Sequence, residues 1–193
     1  MGSSFRDFAV KLVALSGCLR SNAFSTAALR AGLEIARRAG AETELCDLRE
    51  IDLPIFMPDV AILSYPSPAR ERIASLVARY READAMIWAT PTYHGTMSGA
   101  LKNALDFMQL LATDPLPYLQ GKPVGLISIA AASPLPHMAT CATELRAWLT
   151  PTQLTLDAAD FGEDLTIASA PATRRLRRLI AELMQFSERR LCR

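Results

Sequence analysis

The sequence predicts an α/β fold built on a five-stranded parallel sheet in the order 2-1-3-4-5, with helices on both faces. Short apolar runs alternate along the chain with longer segments of helical spacing, as β-α units of a parallel sheet do. Half of the 193 residues are hydrophobic, so we expect a full core and no extensive disorder. Small polar loops follow the first and third strands, and this strand order brings both loops to one point at the carboxyl edge of the sheet.

The predicted strands are apolar runs of the length that buried parallel strands have. Such strands are covered on both faces and therefore lack the polar–apolar alternation of a half-exposed strand. The third run, A-M-I-W-A, is ended by the T-P-T that follows it. In chain order, the predicted strands are residues 8–15, 43–48, 85–89, 123–131 and 152–156.

Five segments have the spacing of amphipathic helices. Gly40 ends the first, Ser98 stands at the N-cap position of the third, and the arginines of the last are interpreted as a solvated face. The helices are predicted at residues 26–39 and 68–83, after Ser98, and at residues 140–149 and 171–191. The predicted inward positions are Ile73, Leu76, Val77 and Tyr80 in the second helix and Leu176, Leu179, Leu183 and Phe186 in the last.

Residues 49–68 contain four prolines and predict irregular backbone between the second strand and the second helix. Within this stretch, D-L-P-I-F-M-P-D carries the large apolar side chains of Phe56 and Met57. We interpret these two side chains equally as a subunit contact or as core packing.

Charge and cysteine usage exclude several classes of function. A net charge of +1 provides no field for gathering nucleic acid. Four scattered cysteines and two histidines show no metal-ligand spacing, so we predict no metal site. Free thiols, no signal peptide and no apolar run of ~18–20 residues predict a soluble cytoplasmic protein that does not bind a membrane.

The loop and helix start at residues 90–106 carry the first sign of a ligand. Gly95 marks a sharp turn or a close approach of the backbone, and the free N–H groups of the loop and of the first helical turn can converge on one crevice. A flavin needs such donors because hydride gain leaves negative charge near N1 of its ring. Tyr93 and His94 are placed to flank that ring. Any doubly wound protein has a loop here, however, and these residues alone leave an empty loop open.

The loop at residues 16–25, S-G-C-L-R-S-N-A-F-S, predicts a phosphate cradle because its small residues lead into a helix N-terminus. It matches neither G-x-G-x-x-G nor the Walker loop, which disfavours a dinucleotide fold and a P-loop NTPase. Backbone N–H groups and the guanidinium of Arg20 would hold a dianionic phosphate. A plain strand-to-helix turn is the alternative.

Both segments resemble one family. The string P-T-Y-H-G-T-M-S-G-A-L-K-N-A-L-D, residues 91–106, resembles the flavin-contacting segment P-x-Y-(N/H)-x-x-x-(P/S)-G-x-L-K-N-x-(L/I)-D of the NAD(P)H-dependent FMN reductases. The first loop resembles their phosphate loop, S-G-S-x-R-x-x-S-x-(N/T), with Cys18 and Ala23 in place of hydroxyl residues. The resemblance implies a flavodoxin-like three-layer sandwich and a single FMN-binding domain over residues 1–193.

The resemblance also implies a function. Hydride would pass from NADPH or NADH through flavin N5 to a quinone, azo compound, metal oxyanion or free flavin. No catalytic side chain would be required, and loop N–H groups at residues 93–95 would stabilise the reduced ring. The partner subunit of a homodimer or homotetramer would wall part of the site. The predicted cofactor contacts are Ser16, Gly17, Cys18, Arg20, Ser25, Pro91, Thr92, Tyr93, His94, Gly95 and Ser133.

The chain departs most from the family after the fourth strand, where A-A-S-P-L-P-H replaces a glycine-rich turn and leaves the shape there open. His137 in this stretch is interpreted as a surface or capping residue rather than an acid–base group. A serine hydrolase is disfavoured, because G-T-M-S-G places its serine one position later than G-x-S-x-G requires. An electron-carrying flavodoxin is disfavoured by the near-neutral charge. A flavin-free scaffold or binding subunit remains the main alternative.

Overall fold

The computed structural model describes residues 9–191 and shows one parallel sheet. β2, β1, β3 and β4 are neighbours in that order, and β5 and β6 both pair with β4. The predicted order is therefore confirmed, but two short strands share the fifth position. Pro151 lies between them, and a proline cannot donate to a strand ladder. The strands are β1 (Lys11–Ser16), β2 (Glu42–Asp47), β3 (Ala85–Pro91), β4 (Pro123–Ile129), β5 (Trp148–Leu149) and β6 (Leu154–Leu156).

Helices cover both faces of the sheet and give the predicted three layers. Alternate residues of β1 point to opposite faces, so Leu12 packs with one apolar cluster and Val13 with the other. α1 and α6 lie on the Leu12 side, and α3, α4 and α5 lie on the Val13 side. The helices are α1 (Phe24–Arg38), α2 (Leu48–Ile51), α3 (Ser67–Glu82), α4 (Gly99–Asp106), α5 (Pro134–Glu144) and α6 (Ala170–Leu191).

The helix predicted at residues 140–149 is wrong in its bounds, because α5 begins earlier, at Pro134. The prolines at residues 134 and 136 do not prevent this helix. Both stand in the first helical turn, where N–H groups have no partner within the helix and a proline therefore loses nothing. The chain leaves α5 through Arg146, whose φ is +62°. Residues 148–149 are consequently strand, not helix.

Two further expectations needed correction. Residues 49–68 are not wholly irregular, since α2 and a short 3-10 helix, Ile62–Ser64, form within them. Phe186 of α6 is 37% exposed and lies beside Trp148 on the surface, whereas Leu176, Leu179 and Leu183 are buried as predicted. Within residues 9–191, no helix combines the length and apolarity needed to cross a membrane.

Candidate functional site

A cavity of about 340 Å³ opens at the carboxyl ends of β1, β3 and β4. Its walls come from residues 18–25 after β1, residues 91–93 at the end of β3, and residues 129–130 at the end of β4. The volume lies within the ~300–1,000 Å³ that small-molecule sites usually have. The two loops that the sequence pointed to therefore converge on one crevice, which is open rather than filled by side chains.

Gly17 holds the loop after β1 against the end of β3 and the start of α4. Its N–H donates to the carbonyl of Ala89 at 2.8 Å, and its own carbonyl accepts a hydrogen bond from Ser98 Oγ at 2.6 Å. A Cβ atom at Gly17 would lie 2.7 Å from Leu101 Cβ and 2.9 Å from Ser98 Oγ, so only glycine fits. Ser98 also accepts the N–H of Leu101 at 3.1 Å, which confirms its predicted place as the N-cap of α4.

Thr92 connects the loop after β3 to the turn after β4 by a hydrogen bond. Its hydroxyl donates to the carbonyl of Ile129 at 2.7 Å. The next residue, Ala130, has φ +75°, in the left-handed region that glycine occupies most easily. The turn therefore keeps a glycine-type backbone without a glycine, at a cost of ~1–2 kcal/mol.

The N-terminus of α1 faces this cavity without a cap. Ala23 stands at the N-cap position, provides no side-chain hydrogen bond, and no acidic residue follows in the first turn. The first N–H groups and the positive end of the helix dipole are therefore left for an anion. Ser25 also lines this cavity, and its hydroxyl is buried without a hydrogen-bond partner among the described residues. The hydroxyl therefore has its hydrogen-bonding capacity left for a group that binds beside it.

The remaining residues of the first loop divide between the cavity and the core. Arg20 is exposed at the cavity, and no hydrogen bond or ion pair within the described range involves it. Cys18 lines the wall and is 4% exposed. Ser16 is fully buried, and its hydroxyl is hydrogen-bonded to Thr26 Oγ1 at 2.7 Å. Ser16 therefore supports the loop from behind and does not line the cavity.

The tip of the loop after β3 is a two-residue hairpin turn. The N–H of Tyr93 donates to the carbonyl of Thr96 and the reverse bond also forms, both at 3.0 Å. His94 and Gly95 have φ +50° and +80°, the signs that a type I′ turn requires at both central positions. The expectation that the Tyr93 N–H is free for a ring is therefore wrong. The N–H groups of His94 and Gly95 remain, at an exposed tip outside the cavity wall.

Some residues lie where the sequence did not place them. Ser133 is exposed next to the start of α5 and does not line the cavity. Phe24 and Ala158 do line it, and neither was predicted to. Phe24 stacks on Phe161 with ring centroids 4.6 Å apart, so the segment after β6 covers the first turn of α1. No motif marks that segment, and periodicity alone would not have located it.

Asn103 explains the L-K-N part of the motif. Its amide oxygen accepts the N–H of Phe56 and its amide nitrogen donates to the carbonyl of Pro54, both at 2.8 Å. Phe56 packs edge-on against Phe107, with ring centroids 5.3 Å apart. Phe56 thus belongs to the core, whereas Met57 is exposed. The motif asparagine holds the loop beside the site and does not line the cavity.

A family model described as NADPH-dependent FMN reductase matches residues 10–170. The chain belongs to this family. An NAD(P)H-dependent FMN reductase of Pseudomonas aeruginosa is 35% identical over 63% of this chain, and the match spans 60% of that relative. An FMN-dependent NADPH-azoreductase of Staphylococcus aureus is 29% identical, over 80% of this chain and 81% of its own.

Solved structures agree on the fold. The flavoenzyme FerB, an NAD(P)H:(acceptor) oxidoreductase of Paracoccus denitrificans, is 18% identical and has a TM-score of 0.74 over 94% of this chain and 98% of its own. An archaeal flavodoxin is 13% identical, with a TM-score of 0.61 over 93% of this chain and 99% of its own. At these identities the likeness shows the fold alone, and that fold is flavodoxin-like, as predicted.

The family is described by its use of FMN and NADPH, which confirms the predicted cofactors. The residues present also fit the phosphate end of that cofactor. An uncapped α1, the Ser25 hydroxyl without a partner and the Arg20 guanidinium together form a site for a dianion. These groups are compatible with a dianion even though Cys18 and Ala23 carry no hydroxyl.

Proposed function

We propose that this protein is an FMN-dependent NAD(P)H oxidoreductase, with one FMN-binding domain over residues 1–193. The observation that carries the proposal is the buried Ser25 hydroxyl, without a described partner, beside the uncapped N-terminus of α1 in a cavity that three tied loops enclose. FMN, when bound, supplies the ring that accepts a hydride from a nicotinamide and passes it on.

The protein's own part would be binding and orientation. The first N–H groups of α1, Ser25 Oγ and Arg20 would hold the phosphate, and the wall at Cys18 would lie along it. Pro91, Thr92 and Tyr93 would place the rim of the ring, with the His94 and Gly95 N–H groups at its edge. Ser16 and Gly17 would shape the loop, and Ser133 would lie farther out. We assign no side chain as a general acid or base.

Retention of FMN tests this proposal against a flavin-free scaffold of the same fold. Protein mixed with FMN and then desalted should keep the visible absorption of the flavin, and it should consume NADPH or NADH rapidly once an acceptor is added. A colourless product would favour the scaffold. Slow turnover by a coloured product would favour an electron carrier instead.

The acceptor would be a small molecule: a quinone, an azo compound, a metal oxyanion or free flavin. The names of the two relatives support free FMN and azo compounds among these. A steady-state screen of NADPH and NADH against benzoquinone, an azo dye, chromate and free FMN would identify it. An acceptor used at least tenfold better than the rest by kcat/KM would be the substrate class.

We also propose a cytoplasmic homodimer or homotetramer. Three described cysteines, Cys18, Cys46 and Cys141, are unpaired, as expected in a reducing compartment; Cys192 lies outside the described residues. Large apolar side chains at positions 19, 55, 57 and 63 are exposed, with Ile55 at 72% and Leu63 at 81%. Sedimentation of the wild type and of Leu63→Glu tests the assembly. A purely monomeric wild type would contradict it.

A further inference from the structure

A second and larger cavity, of about 450 Å³, adjoins the first on the other side of residues 20–23. Three arginines from three parts of the chain line it: Arg20 from the loop after β1, Arg30 from α1 and Arg49 from α2. Residues 164–167 also line it. The tertiary structure thus gathers cations that are far apart in sequence.

These guanidinium groups are not used up by ion pairs. Across residues 9–191, neither Arg20 nor Arg30 takes part in a described hydrogen bond or salt bridge. Arg49 reaches only the exposed carboxylate of its neighbour Glu50, at 3.3 Å. Guanidinium groups stay charged at all relevant pH and fit phosphate oxygens with two parallel N–H donors. The cavity therefore suits a phosphate group.

Two carboxylates in the same cavity argue for more than a bare anion. Asp47 already accepts the N–H of Arg49 at 3.1 Å. Asp164 accepts the N–H and hydroxyl of Thr166 through one oxygen, at 3.0 and 2.7 Å, and these bonds hold its pKa below the usual value. Its other oxygen can accept a hydroxyl hydrogen. The guanidiniums of Arg30 and Arg49 and a charged carboxylate in one cavity, with Arg20 shared with the first cavity, match a sugar that carries a phosphate.

This cavity shares a wall with the one at the start of α1 and extends farther along that helix. Arg30 follows Phe24 by six residues, which places it ~9 Å farther along the helix axis at ~1.5 Å per residue. Arg20, Asn22 and Ala23 line both cavities and form the ridge between them. A molecule anchored in the second cavity can therefore extend over the ridge toward the first.

We propose that the second cavity binds the sugar-bound phosphate monoester of a substrate whose other end reaches the flavin. This rests on the proposed function. Two substrates of that function carry this chemistry, the ribose 2′-phosphate of NADPH and the ribityl 5′-phosphate of a free FMN acceptor. NADH and riboflavin lack the respective groups and serve as their paired comparisons.

The experiment uses FMN-loaded protein with Arg30→Gln, Arg49→Gln and the double variant. Arg38→Gln is the matched control, since Arg38 lies on the same helix but outside the cavity. Loss of one charged hydrogen bond should raise the relevant KM roughly tenfold or more. An increase in KM for NADPH but not for NADH identifies NADPH as the ligand of the cavity. An increase in KM for FMN but not for riboflavin identifies the free FMN acceptor as the ligand. Arg38→Gln should change neither ratio.

A binding measurement tests the cavity without turnover. Adenosine 2′,5′-bisphosphate should bind wild-type protein at least tenfold more tightly than adenosine 5′-monophosphate in titration calorimetry, if NADPH is the ligand. If a free FMN acceptor is the ligand, the corresponding measurement is the quenching of flavin fluorescence when a second equivalent of FMN is added to FMN-loaded protein. Arg30→Lys keeps the positive charge but loses the paired N–H donors of the guanidinium, so it should bind adenosine 2′,5′-bisphosphate with intermediate affinity. This variant also controls for a folding defect in Arg30→Gln.

Unchanged KM ratios in the double variant, with intact circular dichroism, would overturn the inference. The proposed function would survive that result, because colour retention and NADH-driven turnover do not involve Arg30 or Arg49. Conversely, protein that never retains FMN would contradict the proposed function, and calorimetry with adenosine 2′,5′-bisphosphate would still decide whether the arginine cavity takes a sugar phosphate.

Discussion

The two loops that meet at the carboxyl edge of the sheet differ in how their polar groups are satisfied. In the loop after β1, Ser25 keeps a buried hydroxyl without a described partner, and α1 begins without a cap. In the loop after β3, the hairpin at Tyr93 and Thr96 closes its own hydrogen bonds, and Tyr93 is 42% exposed. The first loop is therefore built to be completed by an anion. The second pairs the backbone groups of Tyr93 and Thr96 within its own hairpin and leaves the His94 and Gly95 N–H groups at an exposed tip.

The largest expected effect comes from breaking the junction between these loops. Gly17→Ala places a methyl group against Leu101 Cβ and Ser98 Oγ, both of which are held in place by α4. We expect a loss of ~2–3 kcal/mol in the free energy of unfolding in urea, together with loss of FMN. Gly99→Ala is the matched control, because nothing lies within 4 Å of a Cβ atom there. Equal stability of the two variants would contradict the junction.

The loop at residues 54–57, beside the site, should depend on its support at Asn103. Asn103→Ala removes two hydrogen bonds at 2.8 Å and leaves the Phe56 N–H and the Pro54 carbonyl without their side-chain partner. We expect a loss of ~2 kcal/mol in the free energy of unfolding and faster proteolysis at residues 54–57. Exposed Lys102→Ala should change stability by less than ~0.5 kcal/mol. Unaltered proteolysis in Asn103→Ala would show that the loop is held by packing alone.

The phosphate-side loop should show opposite effects on binding and on stability. Ser25→Ala removes a buried hydroxyl that has no described partner in the FMN-free protein, so the unfolding free energy of that form should stay the same or rise. FMN affinity should fall roughly tenfold, while riboflavin affinity should not change. Ser16→Ala is the comparison, since it breaks the bond to Thr26 and should destabilise the FMN-free protein. An equal loss of affinity for FMN and for riboflavin would show that Ser25 does not bind the phosphate.

The smallest expected effect is a gain. Ala130→Gly relieves a left-handed backbone at φ +75° and should stabilise the protein by ~0.5–1 kcal/mol, after subtraction of the extra entropy that glycine has when unfolded. For a chain of this size, that raises Tm by roughly 1–4 °C. Scanning calorimetry of the FMN-free protein measures it. A lower Tm would mean that contacts of the Ala130 methyl group outweigh the strain.

Local patterns predicted most of the fold. The Ser98 cap, the inward face of α3 and the strand order depend on residues close in sequence and on general rules of parallel sheets. Two of the errors have different causes, one local and one from tertiary packing. α5 starts at Pro134 because prolines in a first turn are compatible with a helix, and Phe186 is exposed because it lies beside Trp148 rather than against the sheet.

The site divides in the same way. Its two motif loops could be recognised from the residues, and the resemblance that those residues carry identified the family. Their individual roles could not. Ser16 and Ser25 are the same residue type in one loop, yet Ser16 is hydrogen-bonded to Thr26 and Ser25 faces the cavity without a described partner. Which hydroxyl is left for a ligand depends on what the other elements place beside it.

By itself, the sequence determined the alternation of strands and helices, the apolar faces and the presence of two ligand-type loops, since each follows from short-range spacing and backbone preference. Only the tertiary structure decided that Gly17 contacts α4, that Ala130 takes a glycine conformation and that Arg20, Arg30 and Arg49 line one cavity. These features join segments far apart along the chain. Their contacts arise only when the sheet and its helices have packed.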